Sequence, residues 1–188
     1  MHKMKFLKLS LIIFISFTSS IKADLNKDLM NQLLDGNKLI FIRHAYAPGS
    51  GDPNNFNLND CSTQRNLNEE GKKQAQKIGE FFKKNKFKIK KVFSSEWCRC
   101  KETAEIAFQD YSTKNFLNSF YSLKYAKNKN KQIKELNDYV RQFESNQNLV
   151  FITHYVLISE VLNYAPSSGE IVVSDKNFNI LGTIKISY

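Results

Sequence analysis

The chain has 188 residues, of which 41% are hydrophobic and 24% are charged. This length and composition fit one domain with a sizeable core, and they exclude a disordered chain and a large multidomain assembly. The net charge of +10 first indicates an anionic partner, and the three histidines first indicate a metal site. Both interpretations depend on where these residues lie.

The N-terminus has the pattern of a secretory signal peptide. A basic start with three lysines precedes the short apolar run Leu9–Phe17, and small residues follow up to Ala23, where cleavage is plausible. The apolar run is well short of the ~20 residues that a spanning helix needs, which disfavours a membrane anchor. We therefore predict that residues 1–23 are a signal peptide that is removed, and that residues 24–188 form a single domain.

Removal of this segment changes both first interpretations. It takes away four lysines and no acidic residue, so the net charge falls from +10 to +6 on 165 residues. It also takes away His2, which leaves His44 and His154. Two histidines without a cysteine or carboxylate at ligand spacing make a poor zinc site, so we predict no metal.

From Asp24 onward, short apolar runs that are typical of buried strands alternate with amphipathic helical stretches. The predicted elements, in chain order, are a strand at 38–43, a helix from Asn68 (the N-cap) to about Lys84, a strand at 91–94, a helix at 96–108 with Ser95 as N-cap, a helix around 133–143, a strand at 149–153, a helix at 156–162, and an antiparallel pair of edge strands at 170–174 and 180–186. This order predicts an α/β fold, a three-layer α/β/α sandwich with a mainly parallel central sheet.

Histidine and arginine follow three of the predicted strands at their carboxyl ends. Arg43 and His44 end the first strand, and His154 follows the strand at 149–153. Arg99 lies one helical turn after the end of the second strand. Because ligands bind at the carboxyl ends of strands in open α/β sheets, we expect these four side chains to converge on one crevice.

Arginine is scarce in this chain. Of 28 basic residues only four are arginine, namely Arg43, Arg65, Arg99 and Arg141. The planar guanidinium binds a phosphate or carboxylate through two parallel hydrogen bonds, which lysine cannot do. A structural ion pair explains one such arginine, but two arginines and two histidines in one crevice favour a site for a tetrahedral anion.

Four motifs together resemble the histidine phosphatase (phosphoglycerate mutase-like) superfamily, and their order and spacing agree over essentially the whole chain after residue 23. They are Arg43-His44-Ala45, 67–75 (LNEEGKKQA), 94–104 (SSEWCRCKETA) and Thr153-His154. The segments 43–49 (RHAYAPG), 51–53 (GDP) and 60–67 (DCSTQRNL) are similar to an exported bacterial branch, which resembles phosphatases proposed for cell-envelope sugar phosphates. The resemblance therefore implies an exported, periplasmic protein.

The resemblance also implies a phosphatase without cofactor or metal. His44 would attack phosphorus and form a phosphohistidine that water hydrolyses. Arg43, Arg99 and a protonated His154 would surround the phosphate oxygens. The amides at the start of the helix after Ser95 would add to the anion site.

Arg65, Tyr46 and Ser95 are further candidates for substrate binding. A surface arginine is an equal alternative for Arg65. Aromatic residues next to a catalytic histidine, such as Tyr46 and Tyr155, more often serve packing.

The sequence departs from the family pattern in two places. Ala45 stands where glycine is usual, a small change that we expect to be tolerated. The stretch 116–120 (FLNSF) lacks the glutamate that many members carry shortly after the third strand, so no general acid is assigned. Asp52, Asp60 and Glu170 are the candidates, and the sequence does not choose among them.

The odd number of cysteines leaves one thiol over in an oxidising compartment. Pairing of Cys98 with Cys100 across one residue is geometrically awkward. Cys100 takes a small buried position that is commonly alanine in the family, so the resemblance favours a Cys61–Cys98 disulfide. Pairing of Cys61 with Cys100, and three reduced thiols, are the alternatives.

The sequence therefore favours a metal-independent phosphomonoester hydrolase that acts on a small or envelope-sugar phosphate. The alternatives are a mutase and a catalytically weak module of the same fold that binds phosphate or another anion. We expect no nucleic-acid partner, because the chain lacks an aromatic-basic recognition motif. We also expect no stable membrane span once the signal peptide is removed.

Overall fold

The computed structural model describes residues 27–187, and the predicted signal peptide lies outside them. The helices and strands, in chain order, are α1 (27–35), β1 (Leu39–Arg43), α2 (Glu69–Asn85), β2 (Ile89–Ser94), α3 (Cys98–Phe108), β3 (Ser112–Thr113), α4 (Leu123–Ala126), α5 (Lys129–Gln142), β4 (Asn148–Thr153), α6 (Tyr155–Leu162), β5 (Ile171–Ser174) and β6 (Ile180–Ile184). Two short 3₁₀ turns, Cys61–Thr63 and Asn115–Leu117, lie in the connections. Within residues 27–187, no helix is long and apolar enough to cross a bilayer.

The six strands form one sheet in the order β3-β2-β4-β1-β5-β6. Strand β4 pairs in parallel with β1 and β2, and β2 also pairs in parallel with β3. By contrast, β5 is antiparallel to β1 and β6 is antiparallel to β5. The mainly parallel sheet and the antiparallel pair at its edge are therefore confirmed. Arg43 pairs with Thr153 in the register of β1 and β4, so His44 and His154 leave the sheet side by side.

Successive residues of the central strands face two different helical layers. Ile40 and Ile42 of β1 belong to a core cluster that includes residues of α1, α2 and α3. Leu39 and Phe41 of the same strand belong to a second cluster with residues of α5 and α6. Because side chains of a strand alternate between faces, both faces of β1 are apolar and covered. The structure is the predicted three-layer α/β/α sandwich.

The two helices that flank the second strand differ in how well their starts were predicted. Helix α2 begins as expected, because the side chain of Asn68 accepts a hydrogen bond from the amide of Gly71. Helix α3 begins at Cys98 rather than at Glu96, with Trp97 at the N-cap position and no side-chain cap. The hydroxyl of Ser95, the expected cap, instead contacts Nε2 of His154 at 2.9 Å. Local propensity was overridden here by a tertiary hydrogen bond.

A disulfide joins Cys61 to Cys98, and Cys100 is a buried free thiol. The favoured pairing is therefore confirmed, and the pairing of Cys61 with Cys100 is excluded. The bond fastens the 3₁₀ turn at 61–63 to the first residue of α3, immediately before Arg99. It thereby holds the loop after β1 against the helix that carries this arginine.

Candidate active site

Arg43, His44, Arg99 and His154 converge on one cavity of about 420 Å³ at the carboxyl ends of β1, β2 and β4. His44 and His154 are each 2% exposed, and their ring centroids are 5.5 Å apart. Four positive side chains and one negative side chain line the cavity: Arg43, Arg65, Arg99, Lys124 and Asp52. The cavity therefore suits an anionic ligand.

One ring nitrogen of His44 is anchored and the other faces the arginine. Nδ1 lies 2.8 Å from the carbonyl oxygen of Ala45, which only accepts hydrogen bonds, so Nδ1 carries the proton. Nε2 accepts from Nε of Arg99 at 3.2 Å. The neutral tautomer thus presents its lone pair at Nε2 in the cavity.

His154 has the opposite tautomer. Its Nδ1 accepts from Nη2 of Arg99 at 3.4 Å, so its Nε2 donates to Oγ of Ser95 at 2.9 Å. Ser95 in turn donates to Oδ1 of Asn118 at 3.1 Å. This chain of hydrogen bonds orients the imidazole of His154, so Ser95 acts on the histidine and is not among the residues that line the cavity.

Both imidazoles favour the neutral form. Burial is the largest cause that lowers the pKa of His44 and of His154 well below the usual range, and the charge of Arg99 lowers both further. The hydrogen bond to Ala45 opposes this effect at His44. The protein's own groups therefore favour a neutral His154, where the resemblance implied a protonated one, because burial and neighbouring arginines oppose another positive charge.

These lowered pKa values make stability depend on pH. Unfolded histidine has a pKa of about 6.5, so below that pH the unfolded chain binds more protons than the folded one. We expect the free energy of unfolding to fall as the pH drops from about 7.5 to 5.5, by at most about 1.4 kcal/mol per pH unit for each histidine. Urea unfolding at both pH values measures this slope, and His154→Gln should reduce it. An unchanged slope in the variant would contradict the assignment.

Arg43 lies half-buried at the end of β1 and is tied down on one side only. Its Nη1 donates to the carbonyl of Pro166 at 2.9 Å, and its guanidinium lies over the ring of Tyr155 at 5.3 Å. Its Nε is buried and has no hydrogen-bond partner among residues 27–187. A buried N–H without an acceptor is costly, so an oxyanion that reached Nε of Arg43 would remove that cost.

Arg65 and Tyr46, the other two candidates for substrate binding, differ in position. Arg65 lines the cavity, but its Nε donates to the carbonyl of Gly51 at 2.8 Å and its Nη1 to the carbonyl of Ala47, so it braces the loop after β1. Tyr46 is not among the lining residues, although it lies only two positions after His44 in the irregular segment that follows β1.

The three candidates for the general acid are separated by the structure. Asp52 lines the cavity, and its Oδ1 lies 2.7 Å from Nη1 of Arg99. Asp60 is exposed and caps the 3₁₀ turn at 61–63 through the amide of Ser62. Glu170 is buried outside the cavity and accepts from Tyr164 and from the amide of Ser167. Only Asp52 lies at the site.

The backbone amides before α3 are already engaged. The amide of Glu96 donates to Asn118, that of Trp97 donates to Ser95, and that of Cys98 donates to Gln64. Side-chain acceptors within the protein therefore use these three amides, which argues against their part in the expected anion site.

Aromatic residues that the sequence analysis did not single out form part of the cavity wall: Phe56, Trp97, Tyr121 and Tyr125. Phe56 stacks on Trp97 with ring centroids 5.1 Å apart. The single tryptophan, two positions before Arg99 in the motif at 94–104, is a signal that could have been noticed. Phe56 and Tyr121 lie on loops and Tyr125 lies in the short helix α4, and no periodic pattern indicates their approach to the cavity.

Two further observations concern the predicted chemistry. Ala45 packs with Ala47, Leu67 and Ala75, so the methyl group that replaces the usual hydrogen of glycine is accommodated. Within residues 27–187, no group of three or more His, Cys, Asp or Glu side chains is arranged to bind a metal ion.

The sequence model of the histidine phosphatase superfamily (branch 1) matches residues 39–147, which is more than half of the chain and includes Arg43, His44 and Arg99. The chain belongs to the histidine phosphatase superfamily. Among curated proteins, none matches the sequence. His154 lies beyond the matched residues, and the register of β1 with β4 places it beside His44.

Solved structures share the histidine phosphatase fold at low sequence identity. The protein histidine phosphatase SixA, solved with tungstate, is 15% identical with a TM-score of 0.54, and the match covers 80% of this chain and 96% of that one. A phosphoglycerate mutase from Thermus thermophilus is 16% identical with a TM-score of 0.53, covering 80% and 99%. A phosphoserine phosphatase from Entamoeba histolytica, solved with 3-phosphoglyceric acid, is 18% identical with a TM-score of 0.52, covering 72% and 89%.

Proposed function

We propose that this protein is an exported, metal-independent phosphomonoester hydrolase that works through a phosphohistidine on His44. The observation that carries the proposal is the orientation of His44. Its Nδ1–H is held by the carbonyl of Ala45, and its Nε2 lone pair faces the cavity 3.2 Å from Nε of Arg99. A neutral, fixed imidazole in a cationic cavity is suited to attack phosphorus.

In the proposed reaction, the Nε2 lone pair of His44 bonds to phosphorus while the bond from phosphorus to the ester oxygen breaks. The leaving oxygen takes a proton from water. This water becomes hydroxide. A second water then attacks phosphorus and gives a proton to that hydroxide, the P–N bond breaks, its electron pair returns to Nε2, and inorganic phosphate is released. The phosphorylated ring is positively charged, and the carbonyl of Ala45 stabilises it through Nδ1–H at 2.8 Å.

Arg43, Arg99 and His154 would surround the phosphoryl oxygens. The unpartnered Nε of Arg43 supports this role, since an unsatisfied buried N–H costs about 1–3 kcal/mol and a phosphoryl oxygen removes that cost. A phosphate dianion also opposes the effect of the arginines on His154, so its binding favours protonation of that histidine. Phosphoryl transfer depends mainly on such positioning and charge stabilisation.

The substrate class we propose is a small phosphorylated molecule or a cell-envelope sugar phosphate, met after export to the periplasm. The N-terminal signal pattern and the Cys61–Cys98 disulfide support export, because disulfides persist in oxidising compartments. The solved relatives that bind tungstate and 3-phosphoglyceric acid support an oxyanion as ligand.

One observation favours the alternative of an anion-binding module with weak or no turnover. Asp60 and Glu170 lie outside the cavity and Asp52 is bound to Arg99, so none of the three is a free proton donor at the site. Turnover of an alkyl phosphate would then be slow, by roughly the 10²–10⁴-fold that a general acid contributes.

Hydrolysis of p-nitrophenyl phosphate by the purified protein, with and without EDTA, tests the proposal. We expect release of phosphate that EDTA does not reduce, and an acid-labile, base-stable phosphoenzyme after rapid quenching. Loss of activity with EDTA would contradict the metal-independent reaction. Binding of phosphate without hydrolysis of any phosphoester in a broad panel would establish the anion-binding module instead.

A further inference from the structure

We propose that Asp52 is a positioning residue, whose carboxylate holds the guanidinium of Arg99 so that its Nε–Nη2 edge faces the reacting phosphate. This proposal deepens the proposed function and rests on it, because it takes Arg99 as a ligand of the phosphoryl group. It also decides the role of the one carboxylate at the site.

The hydrogen bonds of Arg99 divide its guanidinium into two edges. The Nη1–Nη2 edge meets both oxygens of Asp52, at 2.7 Å for Oδ1 and 3.3 Å for Oδ2. The Nε–Nη2 edge faces the two histidines, with Nε 3.2 Å from Nε2 of His44 and Nη2 3.4 Å from Nδ1 of His154. A planar guanidinium can bind one bidentate acceptor at each edge. Asp52 therefore uses one edge and leaves the other directed at the nucleophile.

Asp52 is itself held firmly in place. Its Oδ1 also accepts from the backbone amide of Arg65 at 3.2 Å, and its Oδ2 accepts from Nε1 of Trp97 at 3.1 Å. The side chain of Arg65 binds the carbonyl of Gly51, directly before Asp52. The pair is also shielded from water, with 4% of the Arg99 side chain and 17% of the Asp52 side chain exposed. Such a partner fixes a guanidinium better than solvent can.

The same contacts argue against Asp52 as the proton donor. Each carboxylate oxygen accepts two N–H groups, so a carboxyl proton would have to displace one of them. Burial by itself raises the pKa of Asp52, but the hydrogen bond and charge of Arg99 outweigh it and lower the pKa. The carboxylate stays ionised, which suits an anchor for an arginine and not an acid.

Positioning follows from where a phosphate must lie. For His44 to attack, phosphorus must approach its Nε2, and an equatorial oxygen then replaces the ring nitrogens as acceptor for Nε and Nη2 of Arg99. If the guanidinium turned, it would offer the same charge but the wrong edge. Displacement of a catalytic group by about 1 Å can cost 10²-fold in rate.

The test compares two esters that differ in leaving group, p-nitrophenyl phosphate and glycerol phosphate, in Asp52→Asn and in the control Asp60→Asn. Asn is as good an N-cap as Asp, so the control changes an exposed acid of the same loop without loss of the cap. We expect Asp52→Asn to lower kcat/KM for both esters by the same factor, roughly 10–100-fold, and Asp60→Asn to change neither. A loss confined to glycerol phosphate would make Asp52 a proton donor, and an unchanged kcat/KM would deny it any role. Either result overturns the proposal.

A second measurement does not depend on turnover. Rotation of a guanidinium that is bound on two edges is hindered, so the Nη–H signals of Arg99 should be resolved in ¹⁵N NMR spectra of the wild type and averaged in Asp52→Asn. Resolved signals in a folded variant would overturn the proposal. If the wild type hydrolyses neither ester, the proposed function fails while this measurement still tests the anchor.

Trp97→Phe is the alternative variant if Asp52→Asn does not fold. It removes the Nε1–H donor to Asp52 and keeps an aromatic ring, although a smaller one, against Phe56, Tyr125 and His154. We expect kcat/KM for both esters to fall by the same small factor, roughly two- to tenfold, as for the loss of one hydrogen bond. Unequal effects on the two esters would again contradict positioning.

Discussion

Replacing His44 by alanine is expected to lower kcat/KM for p-nitrophenyl phosphate by roughly 10⁴-fold or more. The reason is that the proposed reaction forms its covalent bond at Nε2 of this ring, which faces the cavity 3.2 Å from Nε of Arg99. His154 cannot replace His44 as the nucleophile, because its Nε2 is directed to Ser95 and its Nδ1 to Nη2 of Arg99. The variant should also give no phosphoenzyme after alkaline quenching, which preserves the P–N bond in the wild type.

His154→Ala serves as the matched comparison, since it removes the other buried imidazole of the same cavity. The His154→Ala variant should hydrolyse the ester slowly but still form a phosphoenzyme if His44 is the nucleophile. Added imidazole should partly restore hydrolysis in His44→Ala, since the cavity of about 420 Å³ admits a free ring. Phosphoenzyme in His44→Ala, or its absence only in His154→Ala, would contradict the assignment. Thermal unfolding of both variants separates these effects from loss of the fold.

The main residues of the site could be predicted because the fold places them by a simple rule. Arg43, His44 and His154 directly follow buried strands, and strands β1 and β4 are neighbours in parallel register. Carboxyl ends of parallel strands meet at one edge of the sheet, so residues far apart in sequence become adjacent. The apolar runs that mark β1 and β4 are continuous and therefore easy to recognise.

The interactions of the loop after β1 could not be predicted in this way. Asp52 and Arg99 are separated by 47 positions, and no periodic pattern relates a loop residue to a helix. Which of the three candidate carboxylates lies at the cavity could not be predicted either, because it depends on the path of each loop. Tyr46 shows the converse, since its closeness to His44 in sequence suggested the cavity, yet it is not among the lining residues. Proximity in sequence gives position only within a regular element.

Ser95 shows how a tertiary contact can replace the local role that the sequence indicates. Its type and its place before α3 indicated an N-cap, which is the usual function of serine there. The hydroxyl instead accepts a hydrogen bond from Nε2–H of His154 and donates one to Oδ1 of Asn118, and the helix starts later. The stretch 116–120, which lacks the family glutamate, contains Asn118. Its side-chain oxygen accepts the hydrogen bond from Ser95 and thereby helps to fix the orientation of His154.

Arg99→Lys is expected to lower kcat/KM for p-nitrophenyl phosphate by roughly 10²–10³-fold, although the positive charge is kept. Lysine ends in a compact ammonium group, so it cannot bind Asp52 at one edge and the phosphoryl group at another. The loss should fall mainly on kcat, because charge attracts the substrate in both proteins whereas only the planar fork matches the transition state. Affinity for inorganic phosphate, measured by competition, should change much less than kcat.

Arg141→Lys is the matched control, because this arginine is exposed on α5 and pairs only with Asp138 among the described contacts. It should leave kcat and KM as in the wild type. If Arg99→Lys retained most of its activity, charge alone would suffice at this position, and the bidentate role of the guanidinium would be wrong. If Arg99→Lys lowered the affinity for phosphate by as large a factor as kcat, Arg99 would act in ground-state binding. Its planar guanidinium would then not stabilise the transition state more than the ground state.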